Sequence, residues 1–270
     1  MFASSGRAQL AYDVSGETGG QDVLLIHAGV SDRRSWDSVV GALTPRHRCV
    51  AFDQRRFGET LYESEDGWSP VADALAVMDA AGMARAVVIA CSMGGSRALD
   101  LVLAHPDRVA GLVLIGTGVR GAPPFDLDPD GALAQIIAQL EAAEARGDVD
   151  EVLRLETRIW LDGPTAPEGR VGGAARAGFE AANRHATEAP DPGAEAEFPD
   201  AWTRLGEIAV PTLVLTGRLD VENLRAMNPL LAELIPGARF RWLDGVAHVP
   251  QVEADTATLA AIAEFVDSIT

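Results

Sequence analysis

Short, continuous runs of apolar residues, each followed by a turn, recur along this chain of 270 residues. The runs VLLI at residues 23–26 and VVIA at residues 87–90 are uninterrupted rather than alternating with polar residues. Continuous apolarity is typical of strands buried on both faces, as in a parallel sheet covered by helices. Helix-like segments stand between the runs, so the pattern predicts a doubly wound, mostly parallel α/β sheet. The predicted strands are residues 10–14, 23–27, 49–53, 86–90, 112–115, 212–216 and 239–243.

The middle of the chain differs, because residues 119–205 contain no strand-like run. Apolar residues in the first half of this stretch recur at helical spacing, which is typical of amphipathic helices. We therefore predict a core domain of residues 1–118 and 206–270 that carries an inserted helical cap over residues 119–205. The predicted helices of the cap are residues 129–146, 152–159 and 174–183, and those of the core include residues 69–82, 96–104 and 254–269.

The chain is strongly acidic, with a formal net charge of −18. An acidic surface repels phosphate backbones, so nucleic acid is not an expected partner. Every basic side chain except histidine is arginine, and the lack of lysine excludes Schiff-base enzymes and P-loop NTPases. There is no membrane-length apolar stretch and no signal-peptide pattern, and two cysteines do not suggest a disulfide framework. A cytoplasmic protein is therefore expected, and no particular oligomeric state is predicted.

The strongest local motif is the turn ACSMGG, in which Ser92 follows an apolar strand and precedes a helix-like segment. A serine between a strand and a helix, flanked by small residues, is the pattern of a nucleophile elbow, usually written G-x-S-x-G. Gly94 supplies the downstream small residue, whereas Ala90 replaces the upstream glycine. Cys91 is the rival nucleophile, but a motif centred on it would place large residues at the small positions. We therefore predict that Ser92 is the nucleophile and that Cys91 is a buried core thiol.

A serine hydroxyl needs a base within hydrogen-bond reach. Only His248, of the five histidines, follows a late strand in a loop at the edge where the carboxyl ends of parallel strands gather. Asp220 follows the strand over residues 212–216 and precedes His248, as the order Ser…Asp…His requires. It would hold the tautomer of His248 and stabilise its imidazolium. The other histidines are not assigned to the chemistry: we expect His27 and His105 to be structural, His47 to be exposed and His185 to lie in the cap.

Acyl transfer also needs N–H donors for the oxyanion that forms on the attacked carbonyl. One donor is predicted to be the N–H of Met93, because it follows the nucleophile at a helix N-terminus. The other should come from the loop after the strand over residues 23–27. In that loop we favour the N–H of Gly29, with Val30 as the alternative.

Taken together, these motifs resemble the α/β-hydrolase superfamily over nearly the whole chain outside the predicted cap. Two positions depart from the usual pattern: Arg56 stands where the D-x-R-G-x-G-x-S loop has glycine, and Ala28 stands in the usual His-Gly position. Haloalkane dehalogenases and epoxide hydrolases of this superfamily carry Asp at the elbow, which Ser92 argues against. The matching segments are His27-Ala28-Gly29 with Trp36, DQRRFGET at residues 53–60, the elbow at Ser92, GRLD at residues 217–220 and GVAH at residues 245–248.

The resemblance implies an α/β-hydrolase fold and a serine hydrolase similar to small enol-lactonases and esterases. Its substrate would be a small-molecule ester, lactone or thioester, attacked by Ser92 without a cofactor or a metal. The candidate pocket walls are Val30, Trp160 and Val249. The cluster at residues 32–34 could bind a charged substrate, but we favour a solvated charge cluster.

Other functions can share the same scaffold. An acyltransferase, a hydroxynitrile lyase or a carbon–carbon bond hydrolase can use the same three residues, and a small-molecule receptor can keep the fold without catalysis. Analysis of the acyl acceptor would separate the enzymes, and an organophosphate probe for Ser92 would identify a receptor by its failure to label.

Overall fold

The computed structural model describes residues 1–269, and its centre is a sheet of nine strands. The strands are β1 (Phe2–Ser5), β2 (Ala8–Ser15), β3 (Asp22–Ile26), β4 (Arg48–Phe52), β5 (Leu61–Tyr62), β6 (Ala86–Cys91), β7 (Val109–Ile115), β8 (Thr212–Gly217) and β9 (Arg239–Leu243). Eight of them lie in the order β1-β2-β4-β3-β6-β7-β8-β9, and β5 pairs with β2. All pairs from β4 to β9 in that order are parallel, whereas β1, β2 and β5 pair antiparallel. The predicted mostly parallel sheet is confirmed.

The helices cover both faces of the sheet, which explains why the central apolar runs are continuous. They are α1 (Asp37–Leu43), α2 (Pro70–Ala80), α3 (Met93–Ala104), α4 (Ala132–Ala145), α5 (Val149–Thr157), α6 (Gly173–Glu188), α7 (Glu222–Leu234) and α8 (Thr256–Asp267). On β6, Val88 and Ala90 pack into the apolar layer with α2, α3 and α7. Val87 and Ile89 point to the other layer, which contains α1 and α8. Across residues 1–269, no helix is both long and apolar enough to cross a bilayer.

Helices α4, α5 and α6 lie between β7 and β8, where the three helices of the cap were predicted. Helices α4 and α5 share a small apolar cluster, in which Leu133, Ile136 and Leu155 pack with Val221 and Leu224 from the segment after β8. A short π-helix, Arg158–Asp162, continues α5. The division into a core domain and a cap domain stays a prediction.

Two expectations of exposure were wrong. His47 is only 6% exposed, because its ring packs inside and its Nε2 lies 2.8 Å from Asp267 Oδ1. Asp32 is also buried, since it accepts hydrogen bonds from the N–H and the guanidinium of Arg34 at the start of a 3-10 helix. Asp32 and Arg33 are therefore shielded from water, and only the side chain of Arg34, which is 66% exposed, is solvated.

Candidate active site

Ser92 lies at the junction of β6 and α3, where the strand passes directly into the helix. Its backbone has φ 54° and ψ −119°, a combination that residues with a Cβ rarely adopt and that occurs mostly at functional turns. Its N–H donates to Ile115 O of β7 at 2.9 Å, so the hydrogen bonding of the sheet extends to the serine itself. The backbone has the sharp strand-to-helix turn that a nucleophile elbow requires.

The small residues of the elbow let α3 approach the sheet closely. A Cβ built on Gly94 would lie 2.4 Å from Ile26 O and 2.6 Å from His27 O, and one on Gly95 would lie 2.1 Å from Thr117 Oγ1. These distances are shorter than real Cβ contacts allow. Both downstream positions therefore require glycine, whereas Ala90 is accommodated upstream with its side chain fully buried.

His248 and Asp220 are in contact at the carboxyl end of the sheet. His248 Nδ1 lies 3.0 Å from both carboxylate oxygens of Asp220, and both residues are 1% exposed. Asp220 Oδ1 also accepts a hydrogen bond of 2.7 Å from the N–H of Val221, which fixes the carboxylate. An ionised carboxylate only accepts hydrogen bonds, so it selects the tautomer with a proton on Nδ1. Nε2 of His248 is thereby left free to accept a proton.

Two glycines make room for this contact. A Cβ on Gly116, directly after β7, would lie 2.8 Å from Asp220 Oδ2 and 2.9 Å from His248 Nδ1. A Cβ on Gly217, the last residue of β8, would lie 2.2 Å from Ala247 O. Any larger residue at either position would separate the loop of Asp220 from the loop of His248 or push both from the sheet.

Ser92, the third residue of the predicted triad, lies on the other side of the carboxyl end of β7 from His248. Ser92 bonds Ile115 O from the β6 side of β7, and His248 packs against the next residue, Gly116, from the β8 side. Among the described residues, the Ser92 hydroxyl makes no hydrogen bond, to His248 or to any other group. The structure therefore brings Asp220 and His248 into contact and Ser92 to the same edge, without closing the serine–histidine hydrogen bond.

Trp160 covers the imidazole from the side of the π-helix that follows α5. The ring centroids of Trp160 and His248 are 4.6 Å apart, at an angle of 45°. Trp160 is carried by the π-helix, a rare geometry that is frequent at functional sites. Trp160 and Val30 pack against the apolar cluster that contains the fully buried Val249. Of the three predicted pocket residues, Trp160 is in ring contact with His248 and Val249 follows it in the chain, whereas Val30 only shares the apolar cluster.

The two predicted oxyanion donors are neighbours. A Cβ on Gly29 would lie 3.4 Å from Met93 Sδ, so the loop after β3 touches the start of α3. Within residues 1–269, the N–H groups of Gly29 and Met93 donate to no acceptor in the protein. Both residues are only partly buried, so the two donors remain available to a ligand.

His27 organises the loop that carries Gly29. Its Nδ1 donates to Ala28 O at 2.7 Å, and its Nε2 accepts from the N–H of Gln54 at 3.1 Å. Burial lowers the pKa of His27, so the ring is neutral at pH 7 and keeps this donor–acceptor arrangement. His27 is structural, as expected, and does not compete for the role of base.

Neither Cys91, the rival nucleophile, nor Arg33 of the cluster at residues 32–34 is placed to act on a substrate. Burial raises the pKa of the Cys91 thiol far above its ordinary value, and the thiol donates to His248 O at 3.5 Å. Arg33 pairs with Asp13, Asp53 and Glu59. Its guanidinium thus joins the buried carboxylate of Asp53 to the exposed carboxylates of Asp13 and Glu59.

Arg170 and Glu253 were missed from the sequence, although both contact the loop of His248. Arg170 bonds Gly245 O at 2.9 Å, and Glu253 accepts the N–H of Ala247 at 3.0 Å. Glu253 lies five residues after His248, close enough to have been considered, but no sequence signal links Arg170 to it. In the part of the chain described, no group of three or more His, Cys, Asp or Glu side chains could hold a metal ion.

Comparison with known proteins places these features in context. The sequence profile described as "Alpha/beta hydrolase family" matches residues 23–262. A Caulobacter vibrioides protein, "Putative carbamate hydrolase RutD", is 34% identical over 112 residues, which cover 40% of this chain and 42% of that protein. The chain thus spans less than half the length of that relative. A pimeloyl-[acyl-carrier protein] methyl ester esterase of Neisseria meningitidis is 27% identical over 251 residues, covering 92% of this chain and 94% of the esterase.

Solved structures share the complete fold. A thermophilic esterase from Thermogutta terrifontis matches with a TM-score of 0.73 and 25% identity, over 99% of this chain and 96% of that one. The enol-lactonase from Burkholderia xenovorans matches with a TM-score of 0.76 and 23% identity, over 99% and 100% of the two chains, a likeness of fold alone.

Proposed function

Because the chain belongs to the alpha/beta hydrolase family, we propose that it is a serine hydrolase that cleaves a carboxylic ester or lactone of a small molecule through an acyl-enzyme on Ser92. The observation that carries the proposal is the buried contact of Asp220 with His248 at 3.0 Å, at the strand end that Ser92 also borders. A buried carboxylate–imidazole pair beside a strained serine is the arrangement that activates a hydroxyl nucleophile. Esterase activity of the Neisseria relative supports the same reaction class.

In the proposed reaction, Ser92 Oγ attacks the substrate carbonyl while His248 Nε2 takes its proton. Asp220 stabilises the imidazolium without accepting that proton. The negative charge on the carbonyl oxygen is received by the N–H groups of Gly29 and Met93, and each such donor contributes about 3 kcal/mol to the transition state. The serine–histidine hydrogen bond would close at this stage, since such bonds are often long before substrate binds.

The second half of the reaction uses the same groups. The protonated His248 gives its proton to the leaving alcohol, and the acyl group stays on Ser92. His248 then takes a proton from a water molecule as the water attacks the acyl carbonyl. The attack forms a second oxyanion, which the N–H groups of Gly29 and Met93 bind. When this intermediate collapses, the bond from the acyl carbon to Ser92 Oγ breaks, Oγ takes the proton back from His248, and the acid is released.

One cavity of the protein lies beyond the loops that carry Gly29 and His248, and none of the residues proposed to react lines it. It lies between α6 and residues 31–38 and has a volume of about 330 Å³, within the usual range of small-molecule pockets. Phe179 and Val252 line it and belong to the same apolar cluster as Val249. The cavity borders residues 31–38 and 251–252, which follow the loops of Gly29 and His248 along the chain, but it does not include Ser92 and is not part of the proposed reaction centre.

The proposal is tested with a panel of short esters, lactones, thioesters and carbamates, and with a fluorophosphonate probe. We expect turnover of at least one panel member, covalent labelling of Ser92, and a loss of at least about a thousandfold in kcat for Ser92→Ala. Cys91→Ala is the matched control at the neighbouring residue and should keep both activity and labelling. Equal turnover by the wild type and Ser92→Ala, or a folded wild type that is not labelled, would refute the proposal.

A further inference from the structure

We propose that Arg170 and Glu253 are positioning residues for His248, because they join the loop that carries His248 to the turn of the cap that carries Trp160. This inference rests on the proposed function. The pair of side chains Arg170 and Glu253 is called the latch below. According to this inference, the cap influences the position of His248 directly, through contacts that do not involve the substrate.

The latch binds the cap through backbone carbonyls. Arg170 Nε donates to Asp162 O at 2.8 Å, and its Nη2 donates to Leu161 O at 2.7 Å. These are the last two carbonyls of the π-helix, whose third residue is Trp160. Carbonyls at a helix end lack intrahelical partners, and a guanidinium satisfies them well. Arg170 therefore fixes the end of the turn from which Trp160 projects.

The same guanidinium binds the loop of His248. Arg170 Nη1 donates to Gly245 O at 2.9 Å and to Glu253 Oε2 at 2.6 Å, and Nη2 donates to Glu253 Oε1 at 2.9 Å. Glu253 Oε1 in turn accepts the N–H of Ala247, the residue before His248, at 3.0 Å. The loop is held on both sides of the imidazole, at residue 245 before it and residue 253 after it.

Every N–H group of the Arg170 guanidinium donates a hydrogen bond. An arginine has five N–H donors, and Arg170 makes five hydrogen bonds, to three carbonyls and both oxygens of Glu253. The side chains of Arg170 and Glu253 are 19% and 8% exposed. Charged bidentate pairs that are this shielded from water are stronger than exposed pairs. A lysine would keep the charge but could not reproduce the planar fork.

The latch fixes both partners of the Trp160–His248 contact, so its loss should displace the imidazole relative to Ser92. A displacement of about 1 Å in an active site can cost about a hundredfold in rate. The rest of the cap has its own attachments, such as Tyr62 Oη to Pro190 O and Trp68 Nε1 to Gly193 O. Variants of the latch should therefore fold with the cap attached.

The experiment compares Arg170→Met, Arg170→Lys and Glu253→Gln with the wild type, by kcat, KM, the rate of fluorophosphonate labelling at Ser92, and urea unfolding. We expect kcat and the labelling rate to fall together, by about a hundredfold for Arg170→Met and about tenfold for Glu253→Gln, whose amide oxygen can still accept the Ala247 N–H. Arg170→Lys should keep less than about a tenth of the wild-type kcat and labelling rate, because lysine does not replace the planar guanidinium. The double variant Arg170→Met/Glu253→Gln should have the same kcat and labelling rate as Arg170→Met, because the two residues act as one unit.

The exposed pair of Arg204 and Glu207 gives the matched control. Arg204→Met and Glu207→Gln should leave kcat and labelling unchanged. If the latch variants lower only the free energy of unfolding and keep wild-type kcat and labelling, the inference is wrong. If Arg170→Met unfolds, Arg170→Lys and Glu253→Gln decide by the same criteria. A wild type that is never labelled at Ser92 refutes the proposed function itself, which is a distinguishable result.

Discussion

Arg56 has φ 79°, a left-handed backbone conformation that favours glycine. It stands at the position where the resembling loop usually has glycine, and its guanidinium donates to Ala186 O near the end of α6 at 3.0 Å. A side chain in this conformation costs about 1 kcal/mol. The bond to the last turn of α6, where the helix dipole favours cations, offsets part of that cost.

We predict that Arg56→Gly is more stable than Arg56→Ala by about 1 kcal/mol, since both variants lose the guanidinium and only alanine keeps the backbone strain. Urea unfolding of the two variants measures the difference. Arg184→Gly and Arg184→Ala are the control pair, because Arg184 is exposed within α6. There the glycine variant should be less stable than the alanine variant by about 1 kcal/mol, the reverse of the order at residue 56. Equal stabilities of the two Arg56 variants would mean that the backbone relaxes at no cost.

At this same scale, part of the candidate site could be predicted from the sequence. Asp220 and His248 were expected together because each follows a strand of a parallel sheet, and strand ends meet at one edge. Arg170 could not be found in this way, because its contacts depend on how the segment between β7 and β8 packs against the loop of His248. The exposure of His47 was predicted wrongly, since its polar neighbours in sequence do not reveal the distant Asp267 that binds it.

The docking of α3 on β3 is the contact between elements on which the site depends. Gly94→Ala would place a methyl group 2.4 Å from Ile26 O, so α3 must move away from β3. We predict a loss of about 1–3 kcal/mol in the free energy of unfolding. Activity should fall as well, because the shift separates the Met93 N–H from Gly29.

Gly118→Ala is the matched control for this prediction, since no atom lies within 4 Å of the Cβ that it would add. Urea unfolding and ester turnover, measured on both variants, provide the test. A Gly94→Ala protein with wild-type stability and activity would show that α3 tolerates displacement and that the close approach has no role.

The elements that the sequence predicted are those with a periodic apolar pattern. All seven predicted strands are present. Five of them lie inside the sheet and are buried nearly throughout, which explains their continuous apolar residues, whereas β2 and β9 are partly exposed. Strands β1 and β5 were missed, since they are short and lie at an antiparallel edge, where burial imposes little pattern. Helix α7 was not delimited either, and it contains Pro229, a residue that normally ends a helix.

Over the whole molecule, acidic residues exceed basic ones by 18. Many arginines are already paired, some of them in buried contacts such as Arg55 with Asp73. The excess negative charge therefore belongs to carboxylates without a cationic partner. Their mutual repulsion destabilises the compact state relative to the unfolded chain, in which the charges lie further apart.

Salt should therefore stabilise this protein at pH 7. Raising NaCl from about 0.01 M to about 1 M shortens the screening length from about 30 Å to about 3 Å, which removes the repulsion. The attraction in exposed ion pairs is screened too, but each contributes only about 0–1 kcal/mol, so the repulsion dominates. We expect the urea midpoint to rise with NaCl at an unchanged m-value. The rise should largely disappear near the isoelectric pH of about 4.6, where the excess charge is neutralised. An equal rise at both pH values would assign the effect to apolar burial, and a fall at pH 7 would show that the ion pairs outweigh the repulsion.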